Sequence, residues 1–279
     1  MKPTDCIYMI PCNLHVNPCN LQANPCNVQV NAFDCTMCMN ELVWPSDTST
    51  AQHIIFPGCG VNMWWQFGAI QALRERFDLK RGKFEFYGAS AGSISSVVAA
   101  CNVDFEAAMA ENLKLPEKSD VFTHSRLIEL WLDRILPHNC HVICSGKVHI
   151  SVTVVSLNCP QLRRMIVSSF CSKQDLINAC LSSSHIPFLL DGNFTRVYRG
   201  KRCVDGSLLF VLKNTFWETR ELTDSNNRHA FVFNHRDDQD LIKHNWGSFH
   251  KLDKKSLMQM FQMGYSYGKA YSENVTNGN

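Results

Sequence analysis

Residues 84–92, FEFYGASAG, form the pattern on which the fold prediction for this chain depends most. An extended apolar run leads directly into Gly88, and the segment from Ser93 to Cys101 then predicts a helix. A strand, a tight turn and a helix in this order are the context of a nucleophile elbow, in which Ser90 would expose its hydroxyl beside a helix N-terminus. Gly88 and Gly92 suit such a turn because it crowds neighbouring Cβ atoms. A structural Gly-rich turn is the alternative for this pattern taken alone.

A second glycine-containing turn, PGCG at residues 57–60, lies upstream of the first. It follows a short apolar run, residues 53–56, and precedes a pattern of helical period over residues 64–76. Glycines between a strand and a helix leave backbone N–H groups uncovered, and those donors suit an anionic oxygen. The candidate donors belong to Gly58, Cys59 and Gly60. An ordinary strand–helix turn is the alternative, and dinucleotide binding is disfavoured because Met63 replaces the third glycine of G-x-G-x-x-G.

The third segment is Val204-Asp205-Gly206-Ser207. An Asp-Gly pair by itself indicates only a turn. Asp205 becomes a candidate base here, because the chain already has a candidate nucleophile and a candidate oxyanion-binding loop but no other obvious base.

Taken together, the three segments resemble the patatin-like phospholipases, and within them the adiponutrin-type lipid acyl hydrolases. The similarity extends over about residues 53–220, including residues 67–73, 135–153 and 172–188. The resemblance implies a three-layer α/β fold, with a central, mainly parallel sheet flanked by helices. It also implies a Ser90–Asp205 dyad and an oxyanion hole at the first glycine turn. Met63 and Ser207 depart from the family pattern, in which both positions are small; they lie beside the reacting groups.

On this reading the chain is a carboxylic ester hydrolase that acts on a lipid without a cofactor or metal. Ser90 would attack the ester carbonyl while Asp205 takes up and returns the proton. Two alternatives stay open. One is an α/β-hydrolase with a Ser-Asp-His triad, in which the base is one of His185, His229, His235, His244 and His250. The other is a non-catalytic lipid-binding protein with the same fold.

Composition predicts a soluble globular protein. Apolar residues make up 45% of the 279, and the formal net charge of +2 gives no electrostatic reason to expect nucleic acid as a partner. The sequence has neither an apolar run long enough for a transmembrane helix nor a secretory signal. We expect a cytoplasmic protein that meets its lipid at a membrane or lipid-droplet surface. In that compartment, cysteines such as Cys101, Cys159 and Cys180 are expected to be buried thiols.

The first fifty residues differ from the rest. The tripeptide PCN recurs every seven residues at 11–13, 18–20 and 25–27, and prolines at that spacing forbid a continuous helix. Cys35 and Cys38 lack a second pair with zinc-site spacing. We therefore predict a flexible leader over residues 1–50 and a catalytic domain over residues 51–275. Thiol chemistry, acylation and weak metal binding are the alternatives for the leader.

Beyond the leader, strand-like and helix-like segments alternate. Residues 256–271 predict an amphipathic helix that faces the core, with a membrane-surface helix as the alternative. Trp64 and Trp65 are expected to pack against the sheet or to line an acyl pocket. The other predicted elements are strands at 148–155, 165–169 and 229–233 and helices at 127–136 and 175–184.

Overall fold

A mixed seven-stranded sheet organises the part of the chain that the computed structural model describes, residues 52–80, 83–116, 124–156, 161–209, 230–244 and 252–277. The strand order is β5-β6-β3-β2-β1-β7, and β4 pairs with β3 outside this path. The strands are β1 (Gln52–Phe56), β2 (Phe84–Ala89), β3 (Val148–Ser156), β4 (Gln161–Val167), β5 (Arg196–Tyr198), β6 (Lys201–Val204) and β7 (Ala230–Val232).

The helices connect and cover these strands. They are α1 (Met63–Arg76), α2 (Ala91–Ala100), α3 (Phe105–Leu113), α4 (His124–Ile135), α5 (Cys140–Cys144), α6 (Lys173–Ser183), α7 (Gln239–His244) and α8 (Lys254–Asn277). Short 3₁₀ turns at Gly60–Asn62 and His235–Asp237 precede α1 and α7. The predicted elements at 127–136, 148–155, 175–184, 229–233 and 256–271 correspond to α4, β3, α6, β7 and α8 within a few residues, whereas β4 begins earlier than predicted and ends at Val167.

The centre of the sheet is parallel and one side is antiparallel. β3, β2, β1 and β7 pair in parallel, whereas β4 and β6 run against β3 and β5 runs against β6. Side chains of one face, such as Ile54, Phe86 and Ile150, join the helices in a single large core. Ile55 and Tyr87, on the other face, belong to a smaller cluster. The predicted α/β fold, with a mainly parallel sheet and flanking helices, is therefore confirmed.

Three partners of β3 determine where the site forms. β4 pairs with residues 150–156 of β3 and occupies one edge. β2 pairs with residues 148–151 and β6 with residues 153–154. Because a strand has only two edges, and β4 already fills one, β2 and β6 lie end to end along the other.

The registers of β2 and β6 bring their ends together. Ala89 pairs with Ser151, and Val204 pairs with Thr153. β2 runs in the same direction as β3 and β6 runs against it. The next residue of each strand, Ser90 and Asp205, is therefore brought to the level of the same β3 residue.

Helix α8 packs directly on α1 through glycines. A Cβ atom at Gly264 would meet the Trp65 backbone, one at Gly68 would meet the Phe261 carbonyl, and one at Gly268 would meet Ala69. This close approach places α8 in the core, with Leu257 and Met260 buried. The core-facing prediction for residues 256–271 is therefore confirmed. Within the described ranges, no helix combines the length and apolar character needed to cross a membrane.

Trp64 and Trp65 pack in the core as expected. Trp64 contacts the rings of Phe67 and Trp131. Trp65 packs on Tyr267, and its indole N–H donates a 2.6 Å hydrogen bond to Asp238. An acyl pocket lined by these two residues stays a prediction.

The described cysteines are free thiols, and most are buried. Cys59, Cys140, Cys144, Cys180 and Cys203 are buried, Cys101 is half-buried and Cys171 is exposed. The expectation of buried thiols is confirmed for Cys180 and only partly for Cys101. Cys159 and the whole predicted leader, with Cys35 and Cys38, lie outside the described residues.

Candidate active site

Ser90 occupies the strained turn that the sequence predicts. Its φ of 54° and ψ of −134° fall in a region that side chains other than glycine rarely adopt. A Cβ atom at Gly88 would collide with the backbone of Gly92, and one at Gly92 would collide with Phe56. Both glycines are therefore required, because β2, α2 and the end of β1 approach one another at backbone distance.

Two serines that the sequence analysis missed fix the backbone of Ser90. Its N–H donates to Ser183 Oγ at 2.9 Å, and the Ser183 hydroxyl donates to the Ser151 carbonyl at 2.7 Å. On the other side, the N–H and the hydroxyl of Ser93 donate to the Ser90 carbonyl, at 2.9 and 2.6 Å. The serine run at residues 182–184 was the only sequence signal for this network.

The Asp-Gly turn is held against the same residues. The Asp205 N–H donates to the His185 carbonyl and the Gly206 N–H to the Ser183 carbonyl, both at 2.7 Å. A Cβ atom at Gly206 would collide with the Ser151 carbonyl, so glycine is required at this position. Ser183 thus joins the elbow, β3 and the Asp-Gly turn.

The Asp205 carboxyl is buried beside Ser90. Its Oδ1 atom accepts a 2.7 Å hydrogen bond from the Ser207 N–H, while its buried Oδ2 atom has no hydrogen-bond partner among the described residues. Burial raises the pKa of Asp205 to about 6, and the Ser90 and Ser207 hydroxyls and the Ser207 N–H act in the opposite direction. The carboxyl is therefore a stronger proton acceptor than an ordinary aspartate, yet ionised at neutral pH.

The first glycine turn lies against both groups. Phe56 pairs with Gly88, so the residues that follow Phe56 run beside the elbow. A Cβ atom at Gly58 would be 2.9 Å from Ser90 Cβ and 3.2 Å from Ser207 Cβ. The structure thus brings together all three predicted segments.

The loop has a conformation suited to anion binding. Gly60 has a φ of 55°, and a 3₁₀ turn begins there. Among the described residues, no hydrogen-bond acceptor takes the N–H groups of Gly58, Cys59 or Gly60. Burial and the charge of Asp205 raise the pKa of the Cys59 thiol, which keeps this side chain neutral.

Gln66 is a further residue that the sequence analysis missed. Its side-chain amide donates to the carbonyls of Pro57, at 2.9 Å, and Phe233, at 3.3 Å, and accepts a 2.7 Å hydrogen bond from the Ser95 hydroxyl. Gln66 is fully buried. It therefore fixes the glycine turn relative to α2, the helix that starts at the elbow.

The two departures from the family pattern have different surroundings. Met63 is the first residue of α1, directly after the 3₁₀ turn. Ser207 lies between Gly58 and Asp205, and its buried hydroxyl is close enough to the Asp205 carboxyl to lower the pKa of that group. Ser207 is thus an additional polar group inside the site.

No described histidine side chain forms a hydrogen bond or an ion pair with the side chain of Ser90 or Asp205. The His185 ring faces the Asn193 carbonyl at 3.2 Å and Asp191 at 3.7 Å, while its own carbonyl supports Asp205. His235 is half-buried after β7, and His244 is exposed and contacts Asp240 and Gln259. His229 and His250 lie outside the described residues.

The described ranges contain no group of three or more His, Cys, Asp or Glu residues arranged to hold a metal ion.

Comparison with known proteins finds relatives that act on lipids by name or by family. The chain is 28% identical over 189 residues to a human omega-hydroxyceramide transacylase, an alignment that covers 64% of this chain and 35% of the relative. It is 34% identical over 163 residues to the mouse 1-acylglycerol-3-phosphate O-acyltransferase Pnpla3, covering 55% and 38%. It is 33% identical over 181 residues to the rat patatin-like phospholipase domain-containing protein 2, covering 60% and 37%. The chain therefore spans about a third of the length of these relatives.

Among solved structures, the type III effector protein ExoU covers 81% of this chain and 53% of its own, with a TM-score of 0.41 and 15% identity. The family model described as patatin-like phospholipase matches residues 54–218, which include the elbow, the glycine turn and the Asp-Gly turn. The chain belongs to the patatin-like phospholipase family.

Proposed function

We propose that this protein is a lipid acyl ester hydrolase, with Ser90 as nucleophile and Asp205 as general base. The observation that carries the proposal is that three groups lie close together. They are a serine with a strained backbone, a buried carboxyl with a pKa of about 6, and a glycine turn whose N–H groups donate no hydrogen bond among the described residues. These are the three parts that acyl transfer through a covalent intermediate requires.

In the first half of the reaction, the Ser90 oxygen attacks the ester carbonyl as Asp205 accepts its proton. The carbonyl oxygen becomes an anion, and the N–H groups of Gly58, Cys59 and Gly60 would stabilise it. Loss of one such donor typically lowers the rate about a hundredfold or more. Collapse of the intermediate expels the alcohol, which takes the proton back from Asp205 and leaves an acyl group on Ser90.

In the second half, Asp205 deprotonates water, and the resulting attack on the acyl-enzyme releases the fatty acid and restores Ser90. An alcohol in place of water would instead accept the acyl group. Acyl transfer is therefore a second candidate function, favoured by relatives that are described as a transacylase and an acyltransferase.

We propose that the substrate is an ester of a membrane or lipid-droplet surface and that the protein meets it from the cytoplasm. The catalytic unit would be residues 51–275. Support comes from the family match over residues 54–218.

The experiment is covalent labelling with a fluorophosphonate, followed by hydrolysis assays on phospholipid, triacylglycerol and galactolipid esters. We expect label on Ser90 and, in Ser90→Ala, loss of both labelling and hydrolysis without loss of the fold. Ser266→Ala, an exposed serine of α8, is the matched control and should behave as the native chain does. Full hydrolysis by a folded Ser90→Ala protein would refute the proposal.

A further inference from the structure

The loop between α6 and β5, residues 184–195, carries two aromatic side chains on the surface. Phe188 is 62% exposed and Phe194 is 51% exposed, and their ring centroids are 5.6 Å apart. Val197, three residues further on, is 65% exposed. Single exposed apolar side chains are ordinary on protein surfaces, whereas a cluster of large ones is typical of an interaction site. We call Phe188, Phe194 and Val197 the apolar tip.

The loop that bears the tip is held in a defined conformation. The Phe188 N–H donates to the Asn193 carbonyl at 2.9 Å, and the Asn193 N–H donates to Asp191 at 2.9 Å. The Ser125 N–H donates to the Leu190 carbonyl at 3.0 Å, which ties the loop to α4. These bonds hold Phe188 at a φ of 65°, an unfavourable conformation for an aromatic residue. The ring is thus kept outside although the backbone is strained, and such strain is typical of functional positions.

Positive charge accompanies the apolar tip. Arg202 is exposed and lies opposite Val197 in the β5–β6 hairpin, so the two side chains share a face. Its guanidinium hydrogen-bonds Thr195 at 3.5 Å, and that of Arg196 hydrogen-bonds Ser125 and Asn178. All of these acceptors are uncharged, so these hydrogen bonds do not neutralise the positive charge of the two arginines. The carboxylate of the loop, Asp191, is turned towards the His185 ring.

The apolar tip is also close to the candidate active site. Phe188 is three residues from His185, whose carbonyl supports Asp205, and three residues span at most about 11 Å. The same chain segment thus holds the proposed base at one end and presents exposed rings at the other. An element that touched a lipid surface here would bring the site to the surface from which its substrate comes.

We propose that the apolar tip inserts into a phospholipid membrane that carries anionic headgroups, with Arg202 contacting a phosphate. Aromatic and aliphatic side chains gain free energy by leaving water at the headgroup boundary, and adjacent cationic side chains are attracted to anionic lipid. This inference rests on the proposed function, because it assigns to the same site the surface on which it works.

The test is sedimentation of the full chain with vesicles of phosphatidylcholine and phosphatidylserine, compared with vesicles of phosphatidylcholine alone. The variant is Phe188→Asn with Phe194→Ser, because asparagine tolerates a positive φ and so keeps the loop conformation. We expect stronger binding to the anionic vesicles, and about tenfold or more weaker binding of the variant. Arg202→Gln should remove most of the preference for anionic vesicles.

The control is Val142→Ser. Val142 is 66% exposed on α5, which leads into the start of β3 and therefore lies at the opposite end of the parallel strands from the site. The control should bind like the native chain. Native-like binding by the double variant, or absence of native binding to the anionic vesicles, would overturn the proposal; equal binding to both kinds of vesicle would overturn its anionic part.

Hydrolysis of a short-chain, water-soluble ester separates this inference from the proposed function. The double variant should keep that activity and its thermal unfolding profile while losing activity on vesicle lipid. If the native chain hydrolyses no ester at all, the proposed function fails, and sedimentation still decides whether the apolar tip binds membranes.

Discussion

Both residues of the candidate dyad are held in states that the isolated residue avoids. Ser90 has a positive φ, and Asp205 buries a carboxyl whose Oδ2 atom has no hydrogen-bond partner among the described residues. Each state lowers the stability of the fold but serves the proposed chemistry. The positive φ exposes the Ser90 hydroxyl, and burial makes Asp205 a stronger base. Stability and activity should therefore change in opposite directions when Asp205 loses its charge.

We expect Asp205→Asn to abolish hydrolysis and to stabilise the protein at pH 7. The pKa of about 6 in the folded chain exceeds the ordinary value of 3.8, so the folded state loses stability as the pH rises through 6. Asparagine cannot ionise, so the variant does not lose this stability, and its free energy of unfolding at pH 7 should exceed that of the native chain by up to ~3 kcal/mol. Urea unfolding at pH 7 measures it, and the gain should vanish towards pH 4. Ser90→Ala is the control, since it keeps the buried charge; an equal gain there would contradict the explanation.

Ser207 should tune the pH dependence. Its hydroxyl lowers the pKa of Asp205, so Ser207→Ala should raise that pKa further. A base must be deprotonated to act, and the acid-side fall in kcat/KM, expected near pH 6 in the native chain, should move to higher pH in the variant. A pH profile with a water-soluble ester measures the midpoint. An unchanged midpoint would show that the Ser207 hydroxyl does not act on the base.

At the scale of elements, contacts between backbones decide the arrangement more than the apolar pattern does. β2 and β6 share one edge of β3, and α8 lies on α1 at the distance that Gly68, Gly264 and Gly268 permit. The glycine turn before α1 is the candidate oxyanion loop. The α1–α8 contact is therefore part of the support of the site.

Gly264→Ala should destabilise the fold. In an isolated helix, alanine is more stable than glycine by about 1 kcal/mol because of its higher helix propensity. Here, however, the new methyl group would collide with the Trp65 backbone. Overpacking of this kind costs about 1–3 kcal/mol or more, so the free energy of unfolding should fall. Urea unfolding followed by tryptophan fluorescence measures the change. Ser266→Ala, exposed on the same helix, should be neutral or slightly stabilising; equal losses in both would indicate a helix effect rather than a packing effect.

For the molecule as a whole, the three predicted segments of the candidate site lie between residues 57 and 207. The family match begins at residue 54. The predicted division between a leader and a catalytic domain remains a prediction, and it can be tested directly.

Deletion of residues 1–45 should leave hydrolysis of a water-soluble ester largely unchanged, because the elbow, the glycine turn and the Asp-Gly turn all lie in the retained part. Circular dichroism establishes that the shortened chain is folded, and the ester assay measures its activity. A folded but inactive truncation would place the leader within the catalytic unit.

Features that depend on local backbone geometry could be predicted from the sequence alone. A tight strand–helix turn needs glycine where another strand approaches. Gly88, Gly92 and the PGCG turn could therefore be identified as turn residues from the amino-acid sequence. The alternation of apolar segments likewise predicted the α/β class. The choice of Asp205 as base came from family resemblance, because an Asp-Gly pair looks the same in any turn.

The contacts between groups that are distant in the sequence became visible only in the folded structure. Ser183 binds the Ser90 backbone across 93 positions, and Gln66 binds Ser95 across 29. Neither pairing has a local signature, since a buried polar side chain is specified by a partner that folding alone brings near. Phe188 illustrates the opposite case. Its place in an apolar run suggests the core, yet the loop conformation turns it outward, because exposure depends on how chain segments pack rather than on residue type.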